Sequence, residues 1–143
     1  MAITQTLTDT FLQDCLDGAH NLGDGGDTLK IALYTSSATL GATTSAYTAT
    51  NEVSGTGYTA GGATLASQAV AYDATNQVAF FDAADPAFTT ATITARGALI
   101  YNNTKSNASI AVLDFGSDFT STAGTFTIQL PSAAHNTAII RIS

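Results

Sequence analysis

Nucleophilic chemistry would have to start from Cys15 or a serine, beside a histidine base that a third group orients. The chain holds one cysteine and two histidines, His20 and His135. Cys15 falls on the apolar stripe of a helical stretch and reads as a small buried hydrophobe. A His-rich metal centre has too few ligands here. Carboxylate pairs of the glycosidase kind can be drawn from Asp82 and Asp85 or from Asp114 and Asp118. Both pairs flank turns, where aspartate ordinarily bonds its own backbone. Arg96 and Arg141 are expected to pair with such acids rather than to act on a ligand. Asp24 and Asp27 sit in the Gly-rich stretch NLGDGGD, but the spacing and terminal glutamate of a calcium loop are missing. The stretch GTGYTAGG (55–62) has four glycines, yet no strong strand feeds it and no helix follows, so phosphate cradling is not indicated. A tight turn into a strand at Ala63 is expected instead. Asn102-Asn103-Thr104 and Asn107-Ala108-Ser109 match glycosylation acceptors, without a secretory context to give the match weight. No residue is therefore assigned as catalytic, cofactor-binding or metal-binding, and no enzyme or cofactor is expected.

Aromatics give the one hint of binding. Tyr47 and Tyr58 lie in a charge-poor loop among small residues, a setting that suits rings docked on a partner or rings capping the core. Tyr101, Asn102 and Asn103 form the best available cluster for a glycan platform, although the chain has no tryptophan.

The elements that must position these residues are β-strands. LKIALYTSS (29–37), ALIYNNTKS (98–106) and IAVLDF (110–115) are apolar runs of strand length. Further strands are expected at 63–72, at QVAFFD (77–82) after the DATN turn, at TFTIQL (125–130) and at TAIIRI (137–142). Between 92 and 97, Ile93, Ala95 and Gly97 alternate with Thr92, Thr94 and Arg96. FGSDFTSTAG is read as the connection before TFTIQL. Near the N-terminus, Thr8, Asp9 and Thr10 offer helix caps, Phe11, Leu12, Cys15, Leu16 and Ala19 share one core-facing stripe, and Gly18 ends the helix. The sequence thus predicts an all-β protein, an antiparallel β-sandwich (jelly-roll- or Ig-like, about eight strands) with one short N-terminal helix. It predicts a single domain over 1–143, with an arm and helix at 1–20 and a long accessory loop at 38–63. A connection that long is usually functional or docked.

Composition bounds the function. Charged residues make up only 10% of the 143, so Thr, Ser, Asn and Gly must cover the surface. Four basic residues against eleven acidic ones give a net charge of −7, the wrong sign for neutralising phosphates, so no nucleic-acid partner is expected. No apolar run approaches the ~20 residues of a membrane-spanning helix. MAITQTLTDT lacks the basic and apolar regions of a signal peptide, and synthesis in a cytoplasm is expected.

The pieces IALYTSS, EVSGTGYTAGG, ARGALIYN and AVLDFGSD, in that order, with TFTIQLP and AIIRIS, resemble a family of small tailed-bacteriophage virion structural proteins. The resemblance covers most of the chain beyond the N-terminal helix. It implies a capsid decoration (cement) protein, or a tail- or fibre-associated part that recognises host glycans. It also implies a virion location after synthesis in the host bacterial cytoplasm. The partners implied are the major capsid protein or other virion proteins. A homo-oligomer is expected by the symmetry of virion sites, a trimer by analogy with other decoration proteins.

Overall fold

A computed structural model describes residues 2–143 of the chain; Met1, the first residue of the expected arm, lies outside them. Eight strands form two antiparallel sheets, with one short helix. The larger sheet has the order β1 (Thr6–Leu7), β7 (Ala108–Thr127), β6 (Ala87–Asn102), β2 (Leu29–Tyr34), β3 (Ala63–Thr64). The smaller has the order β4 (Ala69–Asp73), β5 (Val78–Asp82), β8 (Ile140–Ile142).

The run LKIALY is almost continuously apolar because the large sheet is covered on both faces. Leu29, Ile31 and Leu33 join Ala98, Ile100 and Ile110 in one apolar cluster, to which the small sheet contributes Phe81 and Ile140. Ala32 and Tyr34 face the other way, against Leu99, Tyr101, Val112, Ile3 and Leu40. A strand buried on both faces loses the alternation that marks a half-exposed one. Where β6 runs past β2, alternation returns: Ala91, Ile93 and Ala95 are buried, while Thr92 and Thr94 are exposed.

Three expectations need correction. FGSDFTSTAG is not a connection but part of a single twenty-residue strand, β7, which pairs with β6 from Ala87↔Thr127 to Asn102↔Ala108. The Gly and Asp that read as turn signals are absorbed by a bulge. Ala95 faces Phe119 and Gly97 faces Asp114, leaving Phe115–Asp118 bulged opposite Arg96, with Gly116 at φ 81°. Conversely, 63–72 is not one strand. It splits at Ser67 (φ 53°) into β3 and β4, which belong to different sheets. Finally, the helix α1 (Asp9–Asp17) turns only part of its stripe inward: Phe11 is buried and Cys15 packs against the core, but Leu12 is 52% and Leu16 92% exposed.

The helix ends follow expectation. Thr8 caps the N-terminus by accepting from the Phe11 N–H at 3.4 Å. Gly18, at φ 68°, closes the C-terminus. In the last strand Ile140 and Ile142 lie on one face, opposite Phe81 and Ala79.

Candidate functional site

The loop expected at 38–63 is docked, and it is docked on its own sheet. The carboxylate of Glu52 is the hub. Oε2 accepts from the Tyr47 hydroxyl at 2.7 Å, and Oε1 accepts from the Tyr58 hydroxyl at 2.6 Å and the Gly61 N–H at 2.7 Å. Tyr58 passes the connection on, accepting from the Leu33 N–H at 2.9 Å. Tyr101 donates to the Gly61 carbonyl at 2.7 Å and stacks on Tyr47 with ring centroids 4.9 Å apart. Tyr34 donates to the Thr48 carbonyl at 2.6 Å. Four of the five tyrosines therefore fasten this loop to β2 and β6. Burial, with the Glu52 carboxylate alongside, pushes the Tyr47 hydroxyl up to about 12 and raises Tyr58 as well.

The glycines of GTGYTAGG serve this docking. Gly62 has φ 78° and lies so close to the Ile31 carbonyl that a Cβ would collide with it. Gly57 (φ 81°) lies against Thr90 and Ala91 of β6, where a Cβ would meet the Ala91 Cα at 2.6 Å. The segment then enters β3 at Ala63, the tight turn that was expected.

A second polar network holds the loop after α1. Asn102 is fully buried. Its Nδ2 donates to Asp27 Oδ2 at 2.8 Å and lies 2.9 Å from His20 Nδ1, while its Oδ1 accepts from the N–H groups of Thr104 and Lys105. These partners orient the amide, which makes Nδ1 of His20 an acceptor and leaves Nε2 to donate to Asp14 Oδ2 at 3.2 Å. Both ring nitrogens of His20 are thus occupied, and neither is left to serve Cys15 as a base. Burial, then the neighbouring Asp14, raises the Cys15 thiol and keeps it protonated. Burial would raise Asp27 too, but the hydrogen bonds from the Asn21 N–H and the Asn102 amide hold it below the usual carboxylate range.

Three further acids are engaged locally. Asp85 accepts from the Leu130 N–H at 2.8 Å. Asp114 accepts from the Gly116 N–H at 2.9 Å and pairs with Arg96 at 3.2 Å; the Gly116 bond, with the guanidinium adding to it, holds its carboxyl below the usual range against burial, which acts the other way. His135 lies 3.1 Å from Asp73. Arg141 has no acidic partner within 4.0 Å among the described residues, contrary to the pairing expected for it. The glycan platform is overturned: Tyr101 is 2% exposed and Asn102 is fully buried, so neither can present a face to a sugar. Asn102 is closed to glycosylation for the same reason.

A mixed cleft of about 570 Å³ runs along the distal half of β7, where the apolar Phe115, Phe119, Phe126 and Leu130 are interspersed with polar residues such as Gln5, Asp114 and Gln129. Its size is that of a small-ligand or side-chain pocket. β1 covers the outer edge of β7 only at Ala111 and Val112; beyond Asp114, no strand of the described residues pairs on that side. The cleft has no local sequence signal because its exposed ring, Phe119, lies within FGSDFTSTAG, whose residues read as a connection. No protein-family model, curated protein or solved structure matches this chain.

Proposed function

We propose that this chain is a non-enzymatic structural subunit of a bacteriophage virion, a capsid decoration protein that stabilises the shell by bridging capsomers. One observation carries the reading. Among the described residues six large apolar side chains stand more than half exposed, Leu12, Leu16, Val70, Tyr72, Phe119 and Ile142, whereas His20, Glu52, Asn102 and four tyrosines are tied into the chain's own loops. Apolar exposure on this scale in a charge-poor chain fits surfaces that assembly covers. The virion itself is supplied by the sequence resemblance. On this reading the two sheets form a β-sandwich of jelly-roll or Ig-like kind, and the partners are the major capsid protein or other virion proteins.

The stabilisation is association energy, many modest contacts repeated by symmetry over the shell. The loop at 38–63, bound to its own sheet, is then a rigid surface rather than a free arm. The test is to add the purified chain to cognate shells that lack it. Cryo-electron microscopy should place density across capsomer boundaries, and the decorated shells should resist heat better than bare ones. Density confined to the tail would move the function to host recognition, and shells that neither bind the chain nor gain heat resistance would end the proposal.

A further inference from the structure

β4 is one of the two edge strands of the small sheet and, among the described residues, pairs only with β5. Ala69, Val70, Ala71 and Tyr72 are all exposed. The register sets Val70 beside Phe81 and Ile140, and Tyr72 beside Ala79 and Ile142, all on one face of the sheet. Half of that face is core, with Phe81 and Ile140 buried. The other half overhangs, with Val70 54%, Tyr72 63% and Ile142 56% exposed.

Free edges of natural sheets are ordinarily blunted by charge, proline or a bulge. The distal edge of β7 is blunted in this way: it carries the Phe115–Asp118 bulge and the exposed Asp118. β4 has none of these devices. Its register with β5 is regular over all five pairs, and its only charged residue is the terminal Asp73.

We propose that β4 pairs antiparallel with β4 of a second copy of this chain, about a two-fold axis through Ala71. The strand is self-complementary in that register. Ala71 meets its own counterpart, each Val70 meets a Tyr72, and each Asp73 meets an Ala69. The two Val–Tyr pairs are of the β-branched–aromatic kind that stabilises antiparallel sheets. They fall on the overhanging face, so the apolar row of one copy continues into the other across a six-stranded sheet. The two Asp73 residues end up roughly 14 Å apart along the strands at ~3.4 Å per residue. That exceeds the Debye length of about 8 Å at physiological salt, so like charges do not oppose the pairing. An isologous contact of this form closes after two copies. It therefore replaces, for the free protein, the trimer expected by analogy.

The inference goes beyond the virion reading and concerns the purified chain alone. Light scattering of the full chain, from micromolar to submillimolar concentration, should show the mass of two 14.5 kDa chains. Val70→Lys and Tyr72→Lys should each raise the dimer dissociation constant at least about tenfold, with an unchanged far-ultraviolet spectrum. In a Cys15→Ala background, Ala71→Cys should cross-link across the axis, where paired Cα atoms lie about 4.5–5.5 Å apart, within disulfide reach. Thr75→Cys, in the turn beyond the strand, should not. A chain that stays monomeric, a trimer, dimers indifferent to both lysine variants, or equal cross-linking through Thr75→Cys would each overturn the proposal. A monomer that still decorates shells would sink this inference alone; a dimer that ignores shells would sink only the virion reading.

Discussion

Removing the Glu52 carboxylate should loosen the whole 38–63 loop. In Glu52→Ala the hydroxyls of Tyr47 and Tyr58 and the Gly61 N–H lose their common acceptor. Hydrogen bonds to a charged group contribute about 1.5–3 kcal/mol each when buried. Glu52 is half-buried and its three bonds share one group, so their joint loss is set at about 3 kcal/mol rather than a full sum. For a chain of this size that lowers Tm by roughly 6–12 °C. Glu52→Gln keeps the oxygen that serves Tyr58 and Gly61, and the Tyr47 hydroxyl can turn to accept from the new amide. Its cost should be about 1 kcal/mol. Thermal and urea denaturation at neutral pH measure both, and a double-mutant cycle with Tyr58→Phe should give a coupling of at least about 0.5 kcal/mol. A Glu52→Ala protein that melts with the wild type would refute the hub. Equal losses in the two variants would show that the charge, rather than the shared acceptor, carries the effect.

Alkali should act on the same loop. Tyr47 and Tyr58 are held neutral in the fold above the ordinary tyrosine value near 10, so their contribution is complete below about pH 10 and falls away as pH rises toward about 12. A urea midpoint that stays level from pH 9 to 12 would contradict this (pH range set by those values). Gly62→Ala forces a Cβ against the Ile31 carbonyl at positive φ and should cost at least about 2 kcal/mol, read as a lower urea midpoint. Asn102→Ala strands His20, Asp27 and two backbone N–H groups and should cost about 3 kcal/mol; a loss under about 1 kcal/mol would mean that water replaces the amide without penalty. Leu16→Ser, at a side chain 92% exposed, should leave Tm within about 2 °C of the wild type while weakening shell binding.

The strands at 29–34 and 78–82 were legible because runs of Leu, Ile, Val and Phe bounded by turns have few other uses. Thr92 and Thr94 were legible as outward residues because only one face of β6 is buried there. The distal half of β7 was hidden because its Gly, Ser and Asp disfavour strands locally. Pairing with β6 outweighs that propensity, and one bulge absorbs the misfit. The split at Ser67 was hidden because assignment to one sheet or the other is a tertiary decision. Of the loop network, the tyrosines stood out as aromatics among small residues. Glu52 did not, since nothing local marks a carboxylate as the point where rings distant in sequence converge.

The N-terminal segment has a kinetic consequence. Thr6 and Leu7 pair with Val112 and Ala111, and the helix cap Thr8 is bonded by Ser109, 101 positions further along the chain. Residues 6–8 are thus translated about a hundred positions before the partners they need. Closing so long a loop is slow, and the middle strand β6 lacks one of its two neighbours until β7 is made. Completion of the large sheet is therefore deferred until β7 has been made.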